Sequence, residues 1–396
     1  MADSFELAAI RARFPALSRK EGSHTAAYLD GPGGTQTPAS VIEAMAGVLE
    51  RGVSNLGGGF GASDEAVRVT ADARAAMGRM LGADSSTISF GQNMTSLTFA
   101  MSRALGATWR EGDAIVVTSL DHDANFTPWV MAAGDTGVEV RVAEFNTTTG
   151  LLDPDDVADL LDERVRLVAV CHASNALGSV VDVAAISETA HQVGALVYVD
   201  AVHAAPHLAI DVTALGCDFL VASAYKFFGP HTGILYGAAE LMATIGAYRV
   251  RPAPSDPPGK WETGTQSFES LAGVAAAVEY LESLGRDVVA AHESNLGQRF
   301  LDGIDDMSHV DLYGVPRMDE NRIATFAIGV AGHHPDEVSR RMAAAGVYVW
   351  AGHYYAVNVM DRLGVLDDGG LVRIGFVHYN TADEVDRALD VLDALA

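Results

Sequence analysis

Short apolar runs alternate along this chain with stretches of helical periodicity. The apolar runs lie at 114–118, 138–142, 166–171, 195–200 and 218–222 and are dense in Val, Ile, Leu and Ala, as is typical of strands buried on both faces. Helical patterns at 95–105, 154–163 and 183–193 separate them. This alternation predicts an α/β fold built on an open, mostly parallel sheet.

The pattern changes after residue 248. Residues 249–261 include four prolines and a glycine, so we expect an ordered loop there rather than a helix or strand. Helical patterns follow at 270–284 and 288–304, then a strand–helix–strand pattern at 323–349, then a strand at 371–376 and a helix at 382–395. We therefore predict an N-terminal segment (1–25), a large domain (26–268) and a smaller C-terminal α/β domain (269–396).

Composition narrows the class of protein. The chain has 396 residues, 49% hydrophobic and 20% charged, with a formal net charge of −26. Such a length can bury a large core, and an acidic surface repels nucleic acid and anionic lipid, so neither partner is expected. No apolar run approaches the roughly 20 residues that span a bilayer, and no secretory leader is visible. We predict a cytoplasmic protein whose two cysteines, Cys171 and Cys217, are free buried thiols.

Polar residues follow the predicted strands. Asp200 ends the run at 195–200, Lys226 follows 218–222, His122 follows 114–118 and Asn175 follows 166–171. Ligands of an open parallel sheet bind beyond the carboxyl ends of its strands. Each residue alone has a structural explanation, such as a helix cap or a solvated surface charge. Together they fit pyridoxal phosphate, which needs a lysine for a Schiff base and an acid that keeps its ring nitrogen protonated.

A strand, a turn and a helix start follow one another between residues 88 and 95, and Thr95 lies in the first helical turn. Free backbone N–H groups at a helix N-terminus, together with a hydroxyl, favour a phosphate. The same residues also cap helices for purely structural reasons. In one sheet with Lys226 and Asp200 they suggest a phosphate cradle.

Several motifs, taken in order, resemble the class V aminotransferase superfamily of fold type I pyridoxal-phosphate enzymes, most closely its cysteine desulfurase and selenocysteine lyase branch. They are YLD at 28–30, DHDANFTPW at 121–129, SNALG at 174–178, VDAVH at 199–203, SAYKFFGP at 223–230, ETGT at 262–265 and VRIGF at 372–376. The resemblance implies a fold type I enzyme with bound pyridoxal 5'-phosphate, an amino acid substrate, and a homodimer with a shared active site.

The resemblance also implies roles around the cofactor ring. Lys226 would hold the cofactor as a Schiff base and later move protons, Asp200 would pair with the ring nitrogen, and His122 would stack on the ring. Asn175 would approach the ring hydroxyl or the substrate carboxylate, and His203 would face that hydroxyl.

Roles at the two ends of the site follow in the same way. Met94 through its backbone, Thr95 and Ser223 would hold the phosphate, and Thr265 would reach it from the neighbouring subunit. Arg373 would clamp the substrate carboxylate, for which a bidentate guanidinium is suited.

Two departures from the branch bear on the reaction. Tyr225 stands where His usually precedes the lysine. The branch's mobile Gly-His loop, which carries a nucleophilic cysteine, corresponds to AGHYYA at 351–356, with Tyr355 at the cysteine position and Trp350 where an Arg is usual. We therefore assign a catalytic role to Tyr355 and a substrate-binding role to His353. A persulfide relay and a sulfur-acceptor protein are not expected.

The favoured reaction is β-elimination or C–S bond cleavage without a cysteine nucleophile. Epimerization or cyclization of a specialised amino-acid metabolite and transamination remain open, because all begin with loss of the same α-proton. A non-catalytic scaffold is a further alternative, although it would need neither Lys226 nor Arg373. A nicotinamide-dependent oxidoreductase would need a glycine-rich turn that is missing here. No metal site is expected, since His333 and His334 lack a converging set of ligands.

Overall fold

The computed structural model describes residues 6–396. Residues 1–5 of the predicted N-terminal segment lie outside the described residues. The strands, in chain order, are β1 Lys20–Glu21, β2 His24–Thr25, β3 Ala27–Tyr28, β4 Ile88–Gly91, β5 Ala114–Thr118, β6 Glu139–Ala143, β7 Val165–Cys171, β8 Leu196–Asp200, β9 Phe219–Ser223, β10 Gly233–Gly237, β11 Val310–Tyr313, β12 Thr325–Val330, β13 Val347–Tyr348, β14 Trp350–Gly352 and β15 Leu371–Gly375.

Helices precede, connect and follow these strands. They are α1 Leu7–Arg11, α2 Ala39–Arg51, α3 Gly61–Leu81, α4 Met94–Gly106, α5 Thr127–Thr136, α6 Pro154–Ala158, α7 Val183–Gln192, α8 Val212–Leu215, α9 Ala239–Thr244, α10 Phe268–Leu284, α11 Arg286–Asp305, α12 Pro335–Ala344, α13 Val357–Arg362 and α14 Ala382–Asp393.

The central sheet has seven strands in the order β4-β10-β9-β8-β7-β5-β6. Strands β5 to β9 pair in parallel, and β10 is antiparallel to both of its neighbours. The predicted α/β fold with a mostly parallel sheet is confirmed. Because β5, β7, β8 and β9 end at the same edge, the polar residues that follow them meet there.

Both faces of this sheet are covered. Ile115 and Val117 of β5 pack into one core cluster, while Val116 packs into the cluster on the other face. This alternation explains the nearly continuous apolar runs of the parallel strands, since no face is left for polar side chains. Burial of each large apolar side chain contributes roughly 1.5–3 kcal/mol.

A second sheet, entirely antiparallel, has the order β11-β12-β15-β14. Arg373 lies on β15, between β12 and the edge strand β14, where it is opposite Trp350. The small sheet thus brings the 350–355 segment towards the end of the large sheet. This placement decides which residues can close the site.

The chain departs from the expected pattern in two places, at α6 and at β13. The helical pattern at 154–163 yields only the short helix α6, Pro154–Ala158. Strand β13 pairs in parallel with β3 rather than with β12, which joins residues near the start of the chain to the C-terminal part. Helix α10 begins at the predicted boundary of 268 and packs on α2 and α3; the division into domains stays a prediction.

No helix within residues 6–396 is long and apolar enough to cross a membrane.

Candidate active site

Two adjoining cavities open at the carboxyl edge of the central sheet, an inner one of about 550 Å³ and an outer one of about 660 Å³. The inner cavity holds the residues that follow the parallel strands, and the outer one extends to the second sheet. Residues shared by both linings are Thr95, Phe99, His122, Asn175, Tyr225 and Lys226. The strand-end residues predicted from the sequence are therefore brought together.

Lys226 ends a short helical turn, Ala224–Lys226, that directly follows β9. Its Nζ donates to the carbonyl of Pro32. Burial and, to a lesser extent, the charge of Arg373 lower the pKa of Lys226 to about 7, against the opposing effect of Asp200. Near neutral pH a large fraction of this amine is therefore uncharged and nucleophilic.

Asp200 is the last residue of β8 and is buried. One carboxylate oxygen, Oδ1, accepts a hydrogen bond of 2.8 Å from the Val202 N–H. Burial raises the pKa of Asp200 to about 6, and the charge of Lys226 opposes that rise. A buried carboxylate at this position favours a cationic or protonated partner in the cavity.

A second buried carboxyl group, Asp121, supports the turn that carries His122. The Thr118 hydroxyl donates to Asp121, and Asn125 Nδ2 donates to its Oδ1 at 2.6 Å. Trp129 Nε1 in turn donates to Asn125 Oδ1 at 3.1 Å. Burial and, to a lesser extent, the charge of Asp200 raise the pKa of Asp121 to about 8. This chain of hydrogen bonds fixes His122 relative to the sheet.

His122 presents a neutral ring to the cavity. The Ala124 N–H donates to its Nδ1 at 3.0 Å, so the ring proton sits on Nε2. Burial lowers the pKa of His122 to about 3, helped by Lys226 and Arg373. Tyr355 lies nearly parallel to the ring, with centroids 5.5 Å apart and planes 14° apart. A neutral, flat ring of this kind suits stacking on an aromatic ligand.

The residues of the predicted phosphate cradle lie together at the start of α4. Asn93 caps the helix by accepting from the Ser96 N–H at 2.9 Å. The Met94 N–H donates to Ser223 Oγ at 3.1 Å. Met94, Thr95 and Ser223 all line the inner cavity, so hydroxyls and helix N–H groups converge where an anion is favoured.

Arg373 and Asn175 form the base of the outer cavity. Arg373 is buried, its Nη1 donates to the Asn175 carbonyl at 2.9 Å, and its guanidinium lies 4.6 Å over the Tyr354 ring. Burial lowers the pKa of Arg373 to about 10, which still leaves it charged at neutral pH. His203, which lines the inner cavity, shares a hydrogen bond of 3.0 Å with Thr325 Oγ1, and burial holds its pKa well below the ordinary value.

The segment after β14 forms the outer wall. Tyr354 and Tyr355 have φ of 49° and 59°, a left-handed conformation that costs free energy in a non-glycine residue. Backbone contacts hold it: Asn175 Nδ2 donates to the Tyr354 carbonyl at 3.0 Å, and the Asp123 N–H donates to the Tyr355 carbonyl at 2.6 Å. Tyr354 is directed inward, whereas Tyr355 remains 66% exposed. His353 and Tyr355 both line the outer cavity.

Thr265 and the cysteines occupy different surroundings. Thr265 is exposed and lines neither cavity of its own chain. Cys171 is buried, lies opposite Asp200 in the sheet and borders the inner cavity. Cys217 is buried before β9, away from both cavities.

Three residues of the site escaped sequence reasoning: Phe99, Asp121 and Tyr354. Phe99 lies one helical turn after Thr95, so helical spacing was a usable signal. Asp121 lies beside His122 in the same motif. For Tyr354 no signal distinguished it from Tyr355. Within residues 6–396, no group of three or more His, Cys, Asp or Glu side chains is placed to hold a metal ion.

Pyridoxal phosphate fits this set of residues. In the described part of the chain, Asn175 Oδ1, Arg373 Nε and the Tyr354 hydroxyl are buried without a hydrogen-bond partner. Such atoms cost free energy unless a ligand or water satisfies them. An amine, a buried carboxylate, a neutral stacking ring and an anion cradle around one cavity are the donors and acceptors that this cofactor requires.

Comparison with known proteins gives consistent matches over nearly the whole chain. The model of the family described as aminotransferase class-V matches residues 27–388. A cysteine desulfurase of Dickeya dadantii is 32% identical over 400 residues, covering 96% of this chain and 94% of the relative. A probable cysteine desulfurase of Mycobacterium leprae is 32% identical over 413 residues, and this chain spans 66% of its length.

A solved structure is also close in fold. The apo cysteine desulfurase of Thermococcus onnurineus superposes with a TM-score of 0.90 at 29% identity, covering 98% of this chain and 97% of that one.

Proposed function

The chain belongs to the class-V aminotransferase family and is a pyridoxal-phosphate-dependent enzyme; from that premise we propose that it cleaves a C–S bond of an amino acid by β-elimination, without a cysteine nucleophile. The observation that carries the proposal is the position of Tyr355, which lies against His122 at the outer cavity. The family's cysteine would occupy that position.

We propose that four residues act at the substrate's α-carbon. Arg373 binds the α-carboxylate, because its buried guanidinium has an unpartnered Nε. Lys226 removes the α-proton, and its lowered pKa makes the amine a suitable base. When bound, the cofactor supplies an electron sink for the α-carbon. Asp200 holds the proton of the cofactor's ring nitrogen, and His122 keeps the ring in place.

The remaining groups are proposed to bind the cofactor's edges. Met94, Thr95 and Ser223 hold the phosphate at the start of α4, while Asn175 and His203 face the ring hydroxyl. Thr265 lines neither cavity of its own chain, which supports its donation across a homodimer with a shared active site. We propose that the chain divides into a large domain (26–268) and a small domain (269–396). The site would then lie between the central sheet and the second sheet.

A thiolate at Cys171 or Cys217 is a poor alternative to Tyr355. Burial raises the pKa of the Cys171 thiol well above its ordinary value, and the charges of Asp121 and Asp200 raise it further. Burial likewise raises the pKa of Cys217 to about 12. Protonated thiols do not attack sulfur at a useful rate. We propose that no persulfide forms and that no sulfur-acceptor protein is needed.

Tyr355 is proposed as the proton donor to the departing sulfur. A phenol O–H can donate a proton to a leaving group and so act as a general acid. Its side chain is exposed to the cavity rather than packed in the core.

Product analysis tests the proposed β-elimination. The holoenzyme is incubated with S-methyl-L-cysteine, and methanethiol, 2-oxo acid and ammonia are quantified. β-Elimination predicts all three in equal amounts. Inversion at the α-carbon without release would instead indicate epimerization. A 2-oxo acid that keeps the S-methyl group would indicate transamination.

A further inference from the structure

The outer cavity is larger and more aromatic than cysteine requires. Its volume of about 660 Å³ lies within the roughly 300–1,000 Å³ of pockets that bury drug-sized ligands. The aromatic side chains in its lining are Phe99, Tyr225, Trp350, Tyr354 and Tyr355. The side chain of cysteine ends one atom beyond its β-carbon and leaves most of this space empty.

The mouth of the cavity exposes two large aromatic rings. Trp350 is 53% exposed and Tyr355 is 66% exposed. Exposed apolar surface costs about 25 cal/mol per Å² relative to its burial, and a concentration of it beside a cavity marks a binding surface. A substrate anchored at Arg373 and Lys226 would extend the rest of its side chain towards these two rings.

The charges around the cavity disfavour an acidic substituent, and its aromatic lining favours an apolar one. Arg373 and Lys226 are engaged at the α-carbon in the proposed reaction. Asp123, which also lines the cavity, accepts a hydrogen bond of 3.0 Å from Thr127 Oγ1, and its carboxylate repels an acidic side chain. An Arg is usual in the desulfurase branch where this chain has Trp350, so this wall carries an indole in place of a cation.

We propose that the substrate is an S-substituted cysteine whose sulfur carries an uncharged aromatic or extended apolar group, held between Phe99, Trp350 and Tyr355. The proposal rests on the β-elimination proposed above. It explains both the empty volume and the absence of a thiolate in the 350–356 segment, because the sulfur leaves with its substituent and is never transferred to the protein.

The reaction balances without an oxidant. Loss of the α-proton supplies the electron pair that forms the Cα–Cβ double bond and breaks the Cβ–S bond. The sulfur leaves as a thiol after receiving one proton. Water then hydrolyses the released unsaturated amine, so conjugate and water give thiol, pyruvate and ammonium.

A matched substrate series tests the proposal. The holoenzyme is assayed for thiol release with S-methyl-L-cysteine and S-benzyl-L-cysteine, as wild type and as Trp350→Ala. We expect kcat/KM for the benzyl conjugate to exceed that for the methyl conjugate about tenfold or more, since even one well-packed methylene is worth about that factor. Trp350→Ala should remove most of this preference, chiefly by raising KM for the benzyl conjugate. Tyr248→Ala is the control, because Tyr248 is 69% exposed and lines neither cavity.

Several results would overturn the proposal. Equal kcat/KM for both conjugates in the wild type contradicts it, as does an equal loss for both conjugates in Trp350→Ala. Dissociation of a dimer by Trp350→Ala with unchanged selectivity would assign the indole to a subunit contact instead. If neither conjugate releases a thiol, the proposed reaction fails; calorimetric titration then tests the pocket separately, and tighter binding of the benzyl conjugate supports it while equal affinity overturns it.

Discussion

Two parts of the site differ in how they are built. The floor, His122, Asn175, Asp200 and Lys226, follows parallel strands of the central sheet, and its side chains are fixed by hydrogen bonds. The rim, residues 350–355, lies on the edge strand β14 and the strained turn after it. The floor carries the residue types that the resemblance to the desulfurase branch implies, whereas Trp350 and Tyr355 in the rim differ from what that resemblance implies.

The floor and the rim differ in how readily their side chains can be substituted. Substitution in the floor would disturb buried partners, so the chemistry at the α-carbon is tied to the sheet. An edge strand pairs on one side only, and the exposed side chains of the rim can change with little effect on packing. We therefore propose that the floor sets the class of reaction, and that the rim sets the fate of the β-carbon and the side chain accepted.

The largest expected effect is in the floor, at Lys226. Lys226→Ala should abolish borohydride-reducible attachment of pyridoxal phosphate and reduce turnover to background, because no other amine is assigned to the α-proton. Mass spectrometry of the borohydride-treated protein checks attachment. A reducible adduct that persists in the variant would place the attachment at a different lysine.

Loss of the buried carboxylate should slow the α-carbon step alone. Asp200→Ala is expected to reduce exchange of the substrate α-proton with D₂O by roughly 10²- to 10⁴-fold, the range of a lost acid–base partner. Exchange is measured by proton NMR, with Tyr248→Ala as the control that keeps it within a few-fold, because Tyr248 lines neither cavity. Near-normal exchange in Asp200→Ala would transfer the role to another group such as Asp121.

Substitution in the rim should affect thiol release, the step that follows loss of the α-proton. Tyr355→Phe is expected to lower thiol release roughly 10²-fold through loss of a general acid, with α-proton exchange maintained within a few-fold. Parallel assays of release and exchange separate this role from packing. Unchanged thiol release would show that the ring of Tyr355 only covers His122.

The smallest expected effect is the pH dependence of cofactor attachment at Lys226 in the floor. Because burial lowers the pKa of Lys226 to about 7, the fraction of neutral amine falls about tenfold for each pH unit below that value. The rate of covalent reconstitution of the apoprotein with pyridoxal phosphate should rise with pH to about 7 and then level off. A rate that continues to rise towards pH 10 would show an unshifted lysine.

The floor was predictable from the sequence because its residues follow apolar strands, and parallel strands end at one edge. Two elements, antiparallel β10 and the 21-residue helix α3, were not predicted; β10 pairs with β4 and α3 packs on α10, and both of these partners are distant in sequence. The orientations of Tyr354 and Tyr355 were also beyond reach. The two residues are adjacent and identical, and only the fold places the Arg373 guanidinium over the ring of Tyr354 and leaves Tyr355 exposed.

The intact mass of the enzyme shows whether sulfur ever bonds to the protein. It is measured after turnover with L-cysteine under non-reducing conditions. We expect an unchanged protein mass. A variant in which both Cys171 and Cys217 are replaced by alanine should turn over as fast as the wild type. A mass increase of one sulfur atom located at Cys171 or Cys217, together with loss of turnover in that variant, would contradict both expectations.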